Sequence, residues 1–354
     1  MKRFKKIMIC VACVLVVLLI AGLWTTSVSI YNDNFDQRFE SYEPLKLYVE
    51  DFDGLNRTKY TFASDKGQIL TGYLYTADEE PQGLIVLAHG FGGGGHNSYM
   101  DVANFFAQNG YAVFAYDATG NDESEGDGVG GLPQGVIDLD AALTFVEKEF
   151  PDLSIGLFGH SWGGYSVCNV LRYDHDIKAV ISCSGFNRSS DLFESEGKKQ
   201  AGAAIYLLLP FVKIHEFVKY GKTAVSTAMD GFKDSDANVL ILHSADDNVV
   251  PIEYGYDIYY EKYKEDPRFS FIRLENKGHN YVYNDQEYVN ELNDNFDKWL
   301  KTIDYDYLIP ENREQFEKDR ADYMTCILDR EKWCNNLDMD LFETFLQFYN
   351  DNMK

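Results

Sequence analysis

The run Gly159-His160-Ser161-Trp162-Gly163-Gly164 constrains this chain more than any other feature. It follows Ser154 to Phe158, a short apolar run that reads as a buried strand, and precedes Tyr165 to Arg172, which reads as a helix. A serine at the apex of so tight a strand-to-helix turn sits at a strained backbone position. Small residues must flank it, because a side chain at 159 or 163 would collide with neighbouring backbone. Ser161 Oγ then projects above a sheet, at the start of a helix whose dipole and free N–H groups favour developing negative charge. Ser161 is the candidate nucleophile.

A serine nucleophile needs a base, and the base an orienting acid. Val239 to Leu242 is an apolar run typical of a parallel strand. His243-Ser244-Ala245-Asp246-Asp247-Asn248-Val249-Val250-Pro251 follows it, and two adjacent aspartates compete there for the role of acid. Phe269 to Leu274 is the next strand-like run, and His279 lies in the loop after it as the candidate base. His96, His175 and His215 lack such a setting and read as structural or solvated. An oxyanion needs two backbone N–H donors. One falls to Trp162, next to the nucleophile, and the other to Phe91, in His89-Gly90-Phe91-Gly92-Gly93-Gly94-Gly95 after the strand Gly83 to Ala88. A glycine-rich loop could instead cradle phosphate. However, no G-x-G-x-x-G opens a helix here and no G-x-x-x-x-G-K-[ST] occurs anywhere, which disfavours nucleotide binding.

With H-G-F-G at 89–92, Y-D-A-T-G-N-D-E-S-E-G at 116–126, G-H-S-W-G-G at 159–164, H-S-A-D-D-N-V-V-P at 243–251 and G-H at 278–279, the chain resembles α/β-hydrolases. The likeness is to the branch containing serine aminopeptidases and monoacylglycerol lipases, and it covers roughly residues 58 to 302. It implies a mostly parallel eight-stranded sheet flanked by helices, with a helical cap between strands six and seven. It also implies a triad in the order Ser161, Asp247, His279. Asp247 is preferred over Asp246 because its spacing from His243 and Val250 matches the usual pattern of such hydrolases. Phe91 and Trp162 would form the oxyanion hole, and neither cofactor nor metal is required. Relatives tend to show D-x-R-G-H-G-x-S-x-G in the second motif. Here Ala118, Thr119 and Asn121 stand in that segment and the basic residues are absent.

Residues 1–6 carry Lys2, Arg3, Lys5 and Lys6, and Ile7 to Leu23 is then an unbroken apolar run. At 1.5 Å per residue the run spans about 26 Å, enough for the hydrocarbon core once Trp24 to Val28 extend it. Basic residues before it, and none just after, predict an inside N-terminus and an outside C-terminus. A cleaved signal peptide, giving a secreted protein, is the rival reading. Without those four cations the rest holds 28 basic against 57 acidic residues, a net charge of −29. That argues against nucleic acid and against adhesion to anionic lipid. Cys168 and Cys183 read as buried small residues, Cys10 and Cys13 fall in the apolar run, and Cys326 and Cys334 could pair.

The expected organisation is a cytoplasmic basic segment 1–6, a transmembrane anchor 7–28, a stalk 29–57, a hydrolase domain 58–303 with its cap near 185–237, and a helical extension 304–354 whose two helices either pack on the body or form a partner site. Two cap helices are expected, over 201–212 and 217–228. The apolar run Ile205 to Val212 either packs the cap onto the body or lines an acyl pocket. The acidic loop 117–131 reads as solvated. Residues 287–303 read as the last helix of the fold, with Phe296, Trp299 and Leu300 inward. The expected function is a membrane-anchored serine hydrolase acting on small esters, with no nucleic-acid partner. The first rival is a peptidase of the serine aminopeptidase kind, which would hold the substrate's amine with a cap acid such as Glu194, Glu196 or Glu216. The second is a non-catalytic surface protein.

Overall fold

The computed structural model describes residues 2–77 and 80–353. In chain order it comprises α1 (Lys2–Phe35), β1 (Asn56–Ala63), β2 (Ile69–Thr76), β3 (Leu84–Ala88), α2 (Met100–Gln108), β4 (Ala112–Tyr116), α3 (Gln134–Glu149), β5 (Ile155–His160), α4 (Trp162–Asn169) and β6 (Ile177–Cys183). Then come α5 (Ser189–Ala201), α6 (Leu209–Tyr220), α7 (Lys222–Val225), α8 (Ala228–Asp234), β7 (Asn238–Ser244), α9 (Tyr256–Tyr263), β8 (Phe269–Leu274), α10 (Gln286–Leu300), α11 (Arg313–Ile327), α12 (Arg330–Cys334) and α13 (Met339–Asn352). The eight strands form one sheet in the order β1-β2-β4-β3-β5-β6-β7-β8. β2 pairs antiparallel with both β1 and β4, and the other pairs are parallel. The central strands β3, β4 and β5 are buried along their whole length. This is why their sequence reads as continuous apolar runs rather than as an alternation.

Helices cover both faces. α3, α4, α8 and α9 close one side, together with Tyr31 and Phe35 from the end of α1. α2 and α13 close the other. Phe342, Phe345 and Tyr349 of α13 are fully buried, and Tyr349 Oη donates to Leu157 O of β5 at 2.7 Å. Gly156 makes room for this helix, since a Cβ there would lie 2.6 Å from Met353 Sδ.

These contacts correct four expectations. The helices of residues 304–354 pack on the body, the last of them covering the sheet, but the inward face expected of 287–303 does not hold. α10 instead buries Tyr288, Val289 and Leu292, while Trp299 is half-buried and stacks on Tyr323 of α11. Residues 29–57 are not a free stalk. α1 continues unbroken to Phe35, and Tyr31, Phe35, Leu47, Phe52 and Leu55 are all buried. The insert 184–237 folds as α5 to α8, with breaks that differ from those expected. Gly202 and Gly221, at φ 55° and 56°, end α5 and α6, and Pro210 lies in the first turn of α6, where its missing N–H costs nothing. The acidic loop is solvated only in part: Glu123, Glu125 and Asp127 are exposed, but Asp117 is buried and takes hydrogen bonds from His96 N, His96 Nδ1 and Glu123 N. Cys326 is exposed, Cys334 is buried, and both thiols are free.

Candidate active site

Ser161 sits between β5 and α4 at φ 56° and ψ −114°. A non-glycine residue held in such a region costs about 1–3 kcal/mol. Two neighbours allow the turn. A Cβ on Gly159 would lie 2.3 Å from Gly163 O, and one on Gly163 would lie 1.9 Å from Ala88 O. Only glycine fits either place.

His279 comes from the loop after β8. Its Nε2 lies 2.8 Å from Ser161 Oγ and its Nδ1 lies 2.7 Å from Asp247 Oδ2. With the ring proton on Nδ1, Nε2 is free to accept the serine proton. Asp247 Oδ1 takes the N–H groups of Val249 and Val250 at 2.9 and 2.8 Å. Its Oδ2 also lies 3.2 Å from His243 Nε2. Burial alone would raise this carboxyl, yet the hydrogen bonds from His243 and His279 hold it well below the usual carboxylate range. A charged acid therefore faces His279 at neutral pH, as stabilisation of an imidazolium requires. Asp246 does something else. Its Oδ1 accepts from Ser244 Oγ at 2.5 Å and from Gly278 N at 3.2 Å, which fixes the backbone next to His279.

Phe91 N–H and Trp162 N–H face no acceptor among the described residues. Beside Ser161 these free donors suit an oxyanion. A chain of hydrogen bonds links this loop to His279. Gly90 N donates to Tyr99 Oη at 2.8 Å, Tyr99 Oη lies 2.9 Å from His160 Nδ1, and His160 Nε2 lies 3.0 Å from His279 O. Burial, then the nearby His279, pushes the His160 pKa down to about 3, so the ring stays neutral and can accept at one nitrogen while donating at the other. Sequence reasoning used His160 only as part of a motif. Its place next to the nucleophile was the available signal.

The basic group missing from the second motif arrives from elsewhere. Arg38 donates to the carbonyls of Ser124 and Gly126 at 2.9 and 3.0 Å, and also to Asp122 O. Asp122 in turn holds Ser41 N at 2.6 Å and Gly95 N at 2.8 Å. The segment after α1 is thus tied to the glycine-rich loop. No local pattern could have shown it, since Arg38 and Ser124 lie 86 positions apart.

A cavity of about 430 Å³ opens onto Ser161 and His279. Its walls come from the glycine-rich loop, from residues 41–47, from 280–284, and from Trp333 and Asn336. No residue of 184–237 lines it. In the run Ile205 to Val212, Ile205, Leu209 and Val212 are buried as packing, while Leu207 is exposed. Glu216 is buried between Tyr31 Oη and Ser189 Oγ, both at 2.6 Å. Glu194 pairs with Lys198, and Glu196 with Lys199. None of the three lines the cavity.

Residues 79–220 match the family model described as serine aminopeptidase, S33. A monoacylglycerol lipase of Mycolicibacterium smegmatis is 32% identical over 128 residues, 35% of this chain and 45% of that protein. A monoglyceride lipase of Rattus norvegicus is 33% identical over 101 residues, 28% of this chain and 33% of that protein. The chain thus spans less than half the length of either relative. Among solved structures, an esterase of Pyrococcus furiosus aligns with TM-score 0.54 and 16% identity, covering 76% of this chain and 97% of that one. Together with the sheet order, these likenesses define the class: the chain has the α/β-hydrolase fold. Over residues 79–220 its sequence is similar to the branch of serine aminopeptidases and monoacylglycerol lipases.

Proposed function

We propose that this chain is a membrane-anchored serine hydrolase that cleaves carboxylic esters through an acyl-enzyme. The observation that carries the reading is the continuous line from Ser161 Oγ through His279 to Asp247, at 2.8 and 2.7 Å. In this reading His279 removes the proton of Ser161 as Oγ attacks the ester carbonyl. Phe91 and Trp162 N–H groups receive the oxyanion, and Asp247 stabilises the imidazolium. His279 then protonates the leaving alcohol, and water, activated by the same base, releases the acid.

The N-terminus supports an anchor. α1 holds a stretch of mean hydropathy 3.0 that is 0% buried against the protein. Beyond it, Trp24 meets His215 edge-on at 6.3 Å, so the end of the apolar stretch abuts α6. The exposed Leu207, Phe217 and Val218 lie on or beside the same helix, where apolar surface suits a bilayer interface. With Lys2, Arg3, Lys5 and Lys6 inside, the hydrolase lies outside the cytoplasm.

A fluorophosphonate probe tests the chemistry. Full-length protein in membranes should label, and Ser161→Ala should not, while both melt at similar temperatures. Equal labelling of the two would remove Ser161 from its role.

A further inference from the structure

In the serine hydrolase reading the oxyanion is received in part by the N–H of Phe91, which stands in the loop Gly90 to Gly95. Phe91 is the one residue of that loop with a side chain. Gly92 and Gly94 hold φ angles of 86° and 84°, and a Cβ on Gly92 or Gly93 would meet nothing within 4 Å. So bare a backbone has many conformations open to it. An oxyanion donor works only when it stands in place before charge develops. Gly90 N is tied to Tyr99 Oη at one end of the loop. The rest must be held from outside.

The segment that leaves α1 supplies that hold. The ring of Phe91 packs edge-on against Phe39 at 4.9 Å between centroids and lies 5.7 Å from the ring of Phe35. It also meets Trp162, which carries the second donor, edge-on at 5.5 Å. At the far end of the loop, a Cβ on Gly94 would collide with the backbone of Ser41. Asp122 bridges the two pieces, accepting from Ser41 N, Ser41 Oγ and Gly95 N at 2.6, 2.5 and 2.8 Å. The segment is itself fastened to the body. Phe39 N donates to Gly120 O, and Phe39 O accepts from Asp122 N, both at 3.0 Å. Asp122 is held at φ 35°, in the region that favours glycine. Such a conformation persists only where the surroundings over-determine it.

We infer that residues 35–41 form a positioning strap for the oxyanion hole, with Phe39 the side chain that sets where the Phe91 N–H stands. Phe39 touches no reacting atom and acts through Phe91. The inference rests on the serine hydrolase reading and adds to it a dependence on the segment that follows the anchor. The strap lies outside residues 79–220, so the part of the chain that resembles its relatives does not contain it.

The test measures hydrolysis of p-nitrophenyl butyrate, and inhibition by 1,1,1-trifluorohexan-2-one, in full-length protein in detergent. Ser161 Oγ adds to the carbonyl carbon of that ketone, the serine proton passes to His279, and the carbonyl electron pair becomes an oxyanion. Its affinity therefore reads the hole without turnover. Phe39→Ala should lower kcat about ten- to hundredfold, less than the loss of a whole donor, and leave KM within about threefold. The inhibition constant should rise by a similar factor. Phe39→Leu keeps apolar bulk against Phe91 and should recover most of both. A kcat within about twofold of wild type, a loss confined to KM, an unchanged inhibition constant or no recovery in Phe39→Leu would overturn the strap. Should Phe39→Ala fail to fold, Ser41→Ala removes one of the bonds to Asp122 and should lower kcat and inhibitor affinity together by about threefold or more. Values equal to wild type would refute the strap there too. Fluorophosphonate labelling of wild type, lost in Ser161→Ala, separates the two readings. Where labelling holds and the strap variants behave as wild type, the strap alone falls. Where wild type is not labelled, both fall.

Discussion

At the residue scale, Asp246 and Asp247 show how one backbone step separates two sets of partners. Both are carboxylates in the turn after β7, and only Asp247 reaches His279 Nδ1. Asp247→Asn should therefore lower kcat by about three to four orders of magnitude, because an amide facing Nδ1 favours the wrong tautomer. Asp246→Asn weakens the acceptor that holds Gly278 N in the loop after β8, and should lower kcat by about tenfold or less, since it acts through backbone position. Steady-state kinetics of the two variants on one p-nitrophenyl ester checks the ranking, and the reverse order would transfer the acid's role to Asp246. That Ser161, Asp247 and His279 would be brought together was legible because each lies just past a strand in a short pattern that survives without long-range information. His160 and Arg38 were not legible in this way. Their meaning depends on partners brought in by folding, such as Tyr99 and the loop carbonyls of 122–126.

At the scale of elements, the sheet was readable because buried parallel strands announce themselves as apolar runs. The joints between helices were less so. α1 was read as an anchor that ends near Val28, yet its polar last turns carry Tyr31 and Phe35 into the core. That joint has a consequence for pH. Glu216 of α6 is buried against Tyr31 Oη and Ser189 Oγ, and burial pushes its pKa up to about 7 despite those hydrogen bonds. The folded protein therefore keeps a proton on Glu216 that the unfolded chain, with an ordinary carboxyl, has already lost. The associated stability is complete below the unfolded value near 4.5, declines as pH rises, and is gone above about 7. Its full size is on the order of 3 kcal/mol. Glu216→Gln keeps a carbonyl for Tyr31 and cannot ionise. The drop in stability of wild type between pH 5 and pH 8.5 should exceed that of Glu216→Gln by about this amount, measured by denaturant unfolding in detergent. Parallel pH curves for the two proteins would mean that Glu216 titrates normally.

At the scale of the whole molecule, the domain scheme read from sequence drew boundaries that folding erases. The segment after α1 and the chain after residue 304 both wall the cavity beside Ser161, through residues 41–47 and through Trp333 and Asn336. Sequence separates these pieces because each is polar overall and lacks motifs. The structure joins them because α13 must cover one face of the sheet, and Phe342, Phe345 and Tyr349 supply the apolar surface to do so. The charge of the molecule acts at the same scale. A net of −29 outside the basic N-terminal segment sets up a field that opposes anions wherever they approach. Its reach is about 10 Å at 0.1 M salt and shrinks to about 3 Å at 1 M. A neutral ester should therefore be hydrolysed with a higher kcat/KM than a matched ester bearing a remote carboxylate, by roughly three- to tenfold at 10 mM salt. Butyrate and hemisuccinate esters of one alcohol make a suitable pair. The gap should shrink towards the intrinsic preference of the cavity as sodium chloride rises to 0.5 M, and the change should appear in kcat/KM rather than in kcat, because the field acts on approach. A gap that stays constant with salt would place the discrimination in short-range contacts within the cavity, and the acidic surface would have no part in substrate choice.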